Sequence, residues 1–185
     1  MSIAEETIYT PEDLLTMPGG ERFELVDGQL QGKEMGAESD WISMKINRLL
    51  GSYTDANDSG DVFGPETGYR CFPDTPNMVR KPDGSFIAKG RLPGEEIPKG
   101  HVDIAPDLAI EVVSPNDLYH EVDAKVHLYQ DAGIRLIWVI NPENRTVKVY
   151  TPDHAAYREL SLDDELDGGD VLPGFRCAVR EIFPA

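Results

Sequence analysis

Two stretches of the chain carry apolar residues at the spacing of one helix face. The first covers about residues 40–55, and the second covers residues 117–132, where Gly133 provides a stop signal. Lys125 lies at the centre of the second face, where a core helix would carry leucine or isoleucine. The other members of that narrow face are Leu118, Val122, Tyr129 and Ala132, with Val126 at its edge.

Short runs of β-branched and aromatic residues between turn residues predict a set of strands. Asp27-Gly28 is typical of a tight hairpin turn, and the Thr10-Pro11 pair predicts the start of a short helix. The stretch 89–106 is rich in glycine, proline and charge, so we expect a long loop there. The stretch 62–72 predicts either one strand or two strands broken by Gly64-Pro65. The other predicted strands are 23–26, 29–30, 82–88, 108–113, 136–140 and 146–150.

The order of these elements predicts an α/β fold. From the first long helix onward it is αβββαβ, followed by one more strand that forms an antiparallel hairpin. Such an order packs naturally as a mixed central sheet flanked by helices, with extra hairpins. The length of 185 residues is that of one domain, so we expect a single domain over residues 1–185.

The strand at residues 108–113 holds a carboxylate, Glu111, in an otherwise apolar run. Burying a charge alone is costly, so we expect Glu111 and Lys125 to pair with each other or with a metal. Simpler interpretations remain open, since Lys125 could extend its ammonium into water and Glu111 could face solvent. A solvent-facing Glu111 is disfavoured because its neighbours on the same side of the strand, Ala109 and Val113, are apolar.

Asp83, at the start of another predicted strand, offers a second carboxylate, although Pro-Asp-Gly is also a common turn. Oxygen ligands of this kind suit Mg²⁺ or Mn²⁺, and Mg²⁺ is usually held by only one or two carboxylates with waters and phosphate. A nearby lysine could orient or deprotonate an attacking water, or neutralise charge on a phosphate.

These residues resemble the PD-(D/E)xK nuclease superfamily in their order: Pro82-Asp83, then Glu111-x-Val113, then Lys125 on the next helix. In the most familiar members the lysine is two residues after the second carboxylate, where this chain has Val113. The variant with the lysine on the helix resembles the Uma2 family of candidate restriction endonucleases, over roughly residues 20–180. The other segments that carry the resemblance are FELVDG at 23–28, TGYR at 67–70, APDLAIEVVSP at 105–115 and GIRLIWVI at 133–140.

The resemblance implies a restriction-endonuclease-like fold and metal-dependent hydrolysis of phosphodiester bonds, with Mg²⁺ or Mn²⁺ as cofactor. It implies that Asp83 and Glu111 are metal ligands, with the backbone carbonyl of Val113 as a third. Lys125 would position the water or stabilise charge. Glu24, in the first hairpin, would join the catalytic site as an outer ligand.

Two further positions bear on this site. Tyr129, one helical turn after Lys125, belongs either to the core or to the same cleft. Gly84 follows Asp83 where family members often carry an apolar residue, so we expect it to loosen the strand that carries a ligand.

Composition limits the partners. The net charge of −17 disfavours non-specific binding to nucleic acid, but not an enzyme that reaches nucleic acid through metal ions. We therefore expect nucleic acid as substrate, with DNA as the first candidate and a homodimer as a possible assembly. The alternative is an inactive relative that binds nucleic acid or a protein partner without cutting.

Several other classes are disfavoured. The chain has no apolar stretch of the roughly 20 residues that span a bilayer, so we expect no membrane association. Its two cysteines lie far apart, which predicts a reduced protein of the cytoplasm. His120 and His127 fall on the solvent face of their helix, and no Gly-x-Ser-x-Gly segment or glycine-rich phosphate loop is present, so zinc, serine-hydrolase and nucleotide-cofactor chemistry are not expected.

Overall fold

The computed structural model describes residues 7–33, 35–115, 117–152 and 157–184. The helices are α1 (Pro11–Thr16), α2 (Ala37–Asn57) and α3 (Tyr119–Asp131), with short 3₁₀ helices at Gly20–Arg22, Pro93–Glu95 and Val179–Glu181. The strands are β1 (Phe23–Val26), β2 (Gln29–Gly32), β3 (Gly60–Phe63), β4 (Gly84–Ala88), β5 (Leu108–Val112), β6 (Leu136–Asn141), β7 (Thr146–Tyr150), β8 (Tyr157–Leu160), β9 (Glu165–Asp167) and β10 (Arg176–Ala178).

A six-stranded mixed sheet forms the centre of the molecule, in the order β3-β4-β5-β6-β7-β8. Strands β5 and β6 are parallel, and the other neighbours are antiparallel. The run α2-β3-β4-β5-α3-β6 confirms the αβββαβ order and the mixed α/β sheet that the sequence predicted. α3 connects the parallel pair, as a crossover helix must.

Alternation along β5 distributes its side chains between two cores. Leu108, Ile110 and Val112 pack in the core that contains the apolar residues of α2. Ala109 points the other way and packs in the core that contains Val126 and Tyr129 of α3. Since side chains alternate along a strand, Glu111 lies on the same side as Ala109, facing α3.

The β1–β2 hairpin is held at one edge of this arrangement. Asp27 and Gly28 both have positive φ, at 50° and 80°, as the tight turn predicted for this dipeptide requires. Leu25 exchanges two backbone hydrogen bonds of 2.9 Å with Val79, which attaches the hairpin to the segment leading into Asp83. α1 begins with the expected cap, in which Thr10 and Asp13 bond each other's backbone N–H.

Several boundaries differ from the prediction. α2 is longer at both ends, and the predicted strand at 62–72 ends at Phe63. Beyond that point, Tyr69 makes only isolated bridges, to Arg80 and Val102. Leu118 was assigned to the buried face of α3, which is wrong, because the helix begins at Tyr119 and Leu118 is exposed.

The C-terminal part contains three strands that the sequence did not predict. β8 extends the central sheet beyond β7, and β9 pairs with β10 in a separate hairpin. This region closes the core on the α2 side with buried residues that include Leu166, Phe175 and Ile182. Both cysteines are free, and within the described ranges no helix is long and apolar enough to cross a membrane.

Candidate active site

A cavity of about 320 Å³ lies between the β1–β2 hairpin, the end of β5 and α3. All five residues predicted for the site contribute to its lining: Glu24, Asp83, Glu111, Val113 and Lys125. The structure therefore brings together residues that are up to about a hundred positions apart in the chain. Their chemical roles remain predictions.

Asp83 is fixed by backbone contacts on both sides. Its N–H donates to the carbonyl of Ile110 over 2.8 Å, and its Oδ2 accepts from the N–H of Val112 over 2.7 Å. Within the described residues, its Oδ1 accepts no hydrogen bond, although the ammonium of Lys33 lies 2.8 Å away. One oxygen of Asp83 is thus held rigidly, and the other is directed at a cation.

Helix α2 binds the backbone carbonyl of Asp83. The Asp83 carbonyl accepts hydrogen bonds from Ser43 Oγ at 2.8 Å and Asn47 Nδ2 at 2.9 Å. Gly84 is buried and pairs with Ile110, and a Cβ built on it would meet Asn47 Oδ1 at 2.3 Å. The glycine makes room for α2 to reach Asp83.

Glu111 is buried and uses both oxygens. Its Oε1 accepts from the hydroxyl of Tyr129 at 2.6 Å, and its Oε2 accepts from Lys125 Nζ at 3.1 Å. Burial raises the pKa of the Glu111 carboxyl, and Lys125 opposes this without reversing it. The solvent-facing alternative for Glu111 is therefore wrong, and Tyr129 belongs both to the core and to the site.

The ammonium of Lys125 lies between two carboxylates. Besides Glu111, it is 3.5 Å from Glu24 Oε2. Burial alone would lower the pKa of Lys125, but the two glutamates outweigh it and raise that pKa above its ordinary value. Lys125 is accordingly a cation that donates hydrogen bonds inside the cavity, rather than a side chain that extends into bulk water.

Glu24 is already fully bound by the protein. Its Oε1 accepts from the N–H of Lys81 at 2.7 Å, and its Oε2 accepts from Arg80 Nη1 at 3.1 Å. Burial works to raise its pKa, but Lys125, Arg80 and the Lys81 N–H together lower it. Glu24 is therefore an ionised group that holds Lys125 from the hairpin side.

Val113 follows β5 directly, and its N–H donates to the Ile140 carbonyl at 2.9 Å, continuing the parallel pairing. From the residues that the structure describes, its own carbonyl accepts one long hydrogen bond of 3.3 Å, from Ser39 Oγ near the start of α2. This carbonyl is therefore weakly engaged at the mouth of the cavity.

Sequence reasoning missed Lys33 and Gln31 at the end of the hairpin. Gln31 pairs with Glu24 across the hairpin and accepts from Arg80 Nη1 at 3.1 Å. Lys33 is two residues further on, and its Nζ also donates to the Lys81 carbonyl. The period of two along β2 was a usable signal, because it places both residues on the side that carries Glu24.

A second, larger cavity of about 790 Å³ adjoins the first. The two share Val113, Ser114, Asp117 and Val122 in their linings. The larger one continues along the start of α2, the start of α3 and strands β6 and β7, where it is lined by Tyr119, Lys148 and Tyr150.

The donors at the first cavity fit a hard divalent cation. Among the described residues, no group of three or more His, Cys, Asp or Glu side chains is arranged to hold a metal. Two carboxylates suffice for Mg²⁺, however, because waters complete its coordination. Asp83 Oδ1 accepts no hydrogen bond from the described residues and could exchange its contact with the Lys33 ammonium for a metal ion, and Glu111 lines the same cavity.

The order of elements and the sheet topology define a restriction-endonuclease-like α/β protein. A solved structure from Anabaena variabilis ATCC 29413, described as "a putative nuclease belonging to DUF820", shares this fold with a TM-score of 0.77 at 21% sequence identity. The match covers 94% of this chain and 97% of that one.

The family can also be named. The model of Uma2, described as "Putative restriction endonuclease", matches residues 11–180. The chain belongs to the Uma2 family, as the sequence motifs predicted. A comparison with curated proteins found no match.

Proposed function

We propose that this protein is a metal-dependent nuclease that hydrolyses phosphodiester bonds of nucleic acid, with DNA as the first candidate substrate. Membership of the Uma2 family and the nuclease-like fold support the general activity. The observation that carries the proposal is the buried Oδ1 of Asp83, which faces only the Lys33 ammonium among the described residues and shares a cavity with Glu111 and Lys125.

In this proposal Asp83, Glu111 and the carbonyl of Val113 hold Mg²⁺ or Mn²⁺. A bound ion of this kind would supply a Lewis acid and a water of lowered pKa. Asp83 is suited to the task because its Oδ2 is already fixed by the Val112 N–H, so its Oδ1 is preorganised. The hydrogen bond from Tyr129 holds the Glu111 carboxylate in place in the same way.

Lys125 acts as a hydrogen-bond donor in this mechanism. Burial lowers the pKa of Lys125, but Glu111 and Glu24 raise it further, which favours the protonated ammonium. It therefore orients the attacking water or stabilises the negative charge that develops on the phosphate. Glu24 supports this role as an outer residue, because it contacts Lys125 and is itself held by Arg80 and Lys81.

One observation favours the alternative, a relative that binds without cutting. The carboxylates of the site are already neutralised by lysines of the chain itself: Asp83 faces Lys33, and Glu111 faces Lys125. Such internal pairing would satisfy the buried charges without a metal. In the nuclease, Lys33 must release Asp83 and becomes available to a substrate phosphate.

A cleavage assay with Mn²⁺ on single-stranded, duplex and supercoiled DNA tests the proposal. We expect the wild-type protein to cut at least one of these substrates, and chelator, Glu111→Gln and Lys125→Met each to abolish cutting. Lys99→Met removes an exposed lysine outside the cavity and should leave cutting unchanged. Cutting that survives Glu111→Gln would refute the assignment, and a wild-type protein that neither cuts nor binds Mn²⁺ would support the inactive alternative.

The assembly is part of the same proposal. Cutting both strands of a duplex suits two active sites, so we keep the homodimer as a prediction. Light scattering of the purified protein, with and without DNA, measures the mass directly.

A further inference from the structure

The larger cavity is continuous with the candidate active site, so a substrate strand bound at Asp83 and Glu111 would extend into it. Val113 lines both cavities, and its carbonyl is one of the proposed metal ligands. The volume of the larger cavity, about 790 Å³, lies in the range of roughly 300–1,000 Å³ that is typical of sites for small organic ligands.

An aromatic side chain stands exposed in this cavity. Tyr119, the first residue of α3, is 74% exposed and lines this cavity. Lys148 Nζ lies 5.3 Å from its ring centroid and 4.6 Å from that of Tyr157. A cation attracts the face of an aromatic ring, so Lys148 orients Tyr119 while leaving most of its surface free.

The charges of the lining determine which part of a nucleotide fits. Among the described residues that line the larger cavity, Lys148 is the one basic side chain. Four are acidic: Glu38, Asp117, Asp123 and Glu143. Four carboxylates repel a phosphate, but they do not repel a neutral base and can accept hydrogen bonds from its amino groups. The cavity is therefore suited to the base of a nucleotide rather than to its backbone.

We propose that this cavity receives an unpaired nucleobase of the substrate strand, stacked on Tyr119, next to the phosphate that is cut. The inference rests on the proposed nuclease function and narrows its substrate to single-stranded nucleic acid or to an unpaired segment. A base in a duplex is covered on both faces and paired at its edge, so it reaches an aromatic platform in a cavity only after leaving the stack.

The scarcity of cations supports the same conclusion. Of the described residues that line the two cavities, only Lys33, Lys125 and Lys148 are basic, and the chain as a whole has a net charge of −17. Proteins that hold a duplex by its backbone neutralise many phosphates at once. Stacking of bases on aromatic rings adds affinity through the neutral base rather than through the phosphates.

Fluorescence anisotropy measures the binding of three short labelled probes of equal length and so tests this inference. Ca²⁺ replaces Mn²⁺ in the buffer to avoid cutting. The probes are single-stranded DNA, the corresponding duplex, and a strand in which every nucleotide is abasic. We expect the wild-type protein to bind the base-bearing single strand most tightly. Tyr119→Ala should lower that affinity about tenfold, the size of one lost base–aromatic stack, without changing the affinity for the abasic strand.

Two control variants separate stacking from other effects. Tyr119→Phe keeps the ring and should retain the affinity, and Trp41→Ala removes an exposed aromatic residue of α2 that lines a different cavity. Equal losses for base-bearing and abasic strands in Tyr119→Ala, a wild-type preference for duplex, or no binding of any probe would each overturn the inference.

The two proposals fail in different ways. If the protein shows the stacking pattern but cuts nothing in Mn²⁺, the base cavity is supported and the nuclease proposal is refuted. If it cuts duplex DNA and Tyr119→Ala cuts equally well, the nuclease proposal stands and the base cavity is refuted.

Discussion

The buried charges of the site form an alternating series in which each carboxylate has at least one basic neighbour. Arg80 contacts Glu24, Glu24 contacts Lys125, and Lys125 contacts Glu111. Removing one member of a buried pair leaves the other uncompensated, which is strongly destabilising. Substitutions that keep the shape and the hydrogen bonds are therefore the informative ones at this site.

Tyr129 offers such a substitution, because its hydroxyl donates to Glu111 from a fully buried position. We expect Tyr129→Phe to lower the free energy of unfolding by about 1–3 kcal/mol, since it leaves a buried carboxylate oxygen without a donor. It should also weaken Mn²⁺ binding, because Glu111 is no longer held in place. Urea denaturation and calorimetric titration with Mn²⁺ measure the two effects.

Tyr69 is the matched control for this prediction. It is equally buried, and its hydroxyl lies 2.6 Å from Ser85 Oγ, outside the candidate site. Tyr69→Phe should also cost stability, but it should leave the affinity for Mn²⁺ unchanged. If both variants bind Mn²⁺ as the wild type does, Tyr129 has only a structural role.

The sequence predicted some members of the site and missed others for a physical reason. Glu111 and Lys125 could be found because each interrupts an apolar pattern. Glu24 was found only through the family resemblance, since its strand is too short to show a pattern and its partners Arg80 and Lys81 lie more than fifty positions away. Arg80 was missed because its partner Glu24 lies about fifty positions away in the chain, and no local pattern reports such a contact. For Lys33 the period of two along β2 indicates the side of the hairpin, but not the partner Asp83.

The close approach of α2 to β4 is the packing feature on which the position of Asp83 depends. Gly84→Ala would place a methyl group 2.3 Å from Asn47 Oδ1, so the amide must move and lose its hydrogen bond to the Asp83 carbonyl. We expect a loss of about 1 kcal/mol in the free energy of unfolding, together with weaker Mn²⁺ binding. Chemical denaturation and Mn²⁺ titration test both.

Gly51, within α2, is the matched control, because a Cβ there meets no atom within 4 Å. Gly51→Ala should raise the stability by about 0.5–1 kcal/mol, since alanine costs less backbone entropy than glycine in a helix. Opposite signs for the two glycines would support the packing argument. A neutral or stabilising Gly84→Ala would contradict it.

The elements themselves were predictable where the pattern was long. α2, α3 and the strands from β4 to β7 carry enough apolar residues for their period to show. β9 and β10 have three residues each, and β8 has one buried residue, so pairing with distant segments decides their structure. Leu118 was wrongly assigned to the buried face of α3 for a similar reason. It continues the apolar period of the helix but precedes the first turn.

His101 links the loop at 89–106 to α1, because its Nε2 lies 2.9 Å from the carbonyl of Pro11. Burial lowers the pKa of His101, with Lys81 and Arg70 acting in the same direction and the Pro11 contact and Glu12 opposing them. The folded state thus binds the proton more weakly than the unfolded state. The contribution of neutral His101 to the stability is present above about pH 6.5, the pKa of the imidazole in the unfolded chain. It is lost as the pH falls towards the lower pKa of His101 in the folded protein.

The expected measurement is a set of urea denaturation curves between about pH 7.5 and 5 for the wild type and His101→Gln. The wild type should lose more stability over this window than the variant, because the variant has no imidazole to protonate. Carboxylates titrate in both proteins, so the difference between the two isolates the histidine. Parallel profiles would show that His101 does not contribute.

The charge of the whole molecule places a condition on every metal experiment. A net charge of −17 repels itself in the compact state, so added salt should raise the melting temperature by screening, with no specific site involved. Most of this charge lies away from the candidate cavity, in exposed acidic residues such as Asp163 and Glu165. A simple thermal shift with Mn²⁺ would therefore mix general screening with binding at Asp83 and Glu111.

The two contributions can be separated at constant ionic strength. When KCl is lowered as Mn²⁺ is added, so that the ionic strength stays the same, Mn²⁺ bound at the site should still raise the melting temperature. This shift should increase with the ratio of the Mn²⁺ concentration to its dissociation constant. Glu111→Gln should abolish this remaining shift but keep the response to KCl, since it removes one charge of many. Asp163→Asn, which neutralises an exposed acidic residue, should behave like the wild type in both respects. A Mn²⁺ shift that disappears once the ionic strength is matched would mean that the carboxylates of the cavity are satisfied by Lys33 and Lys125 alone.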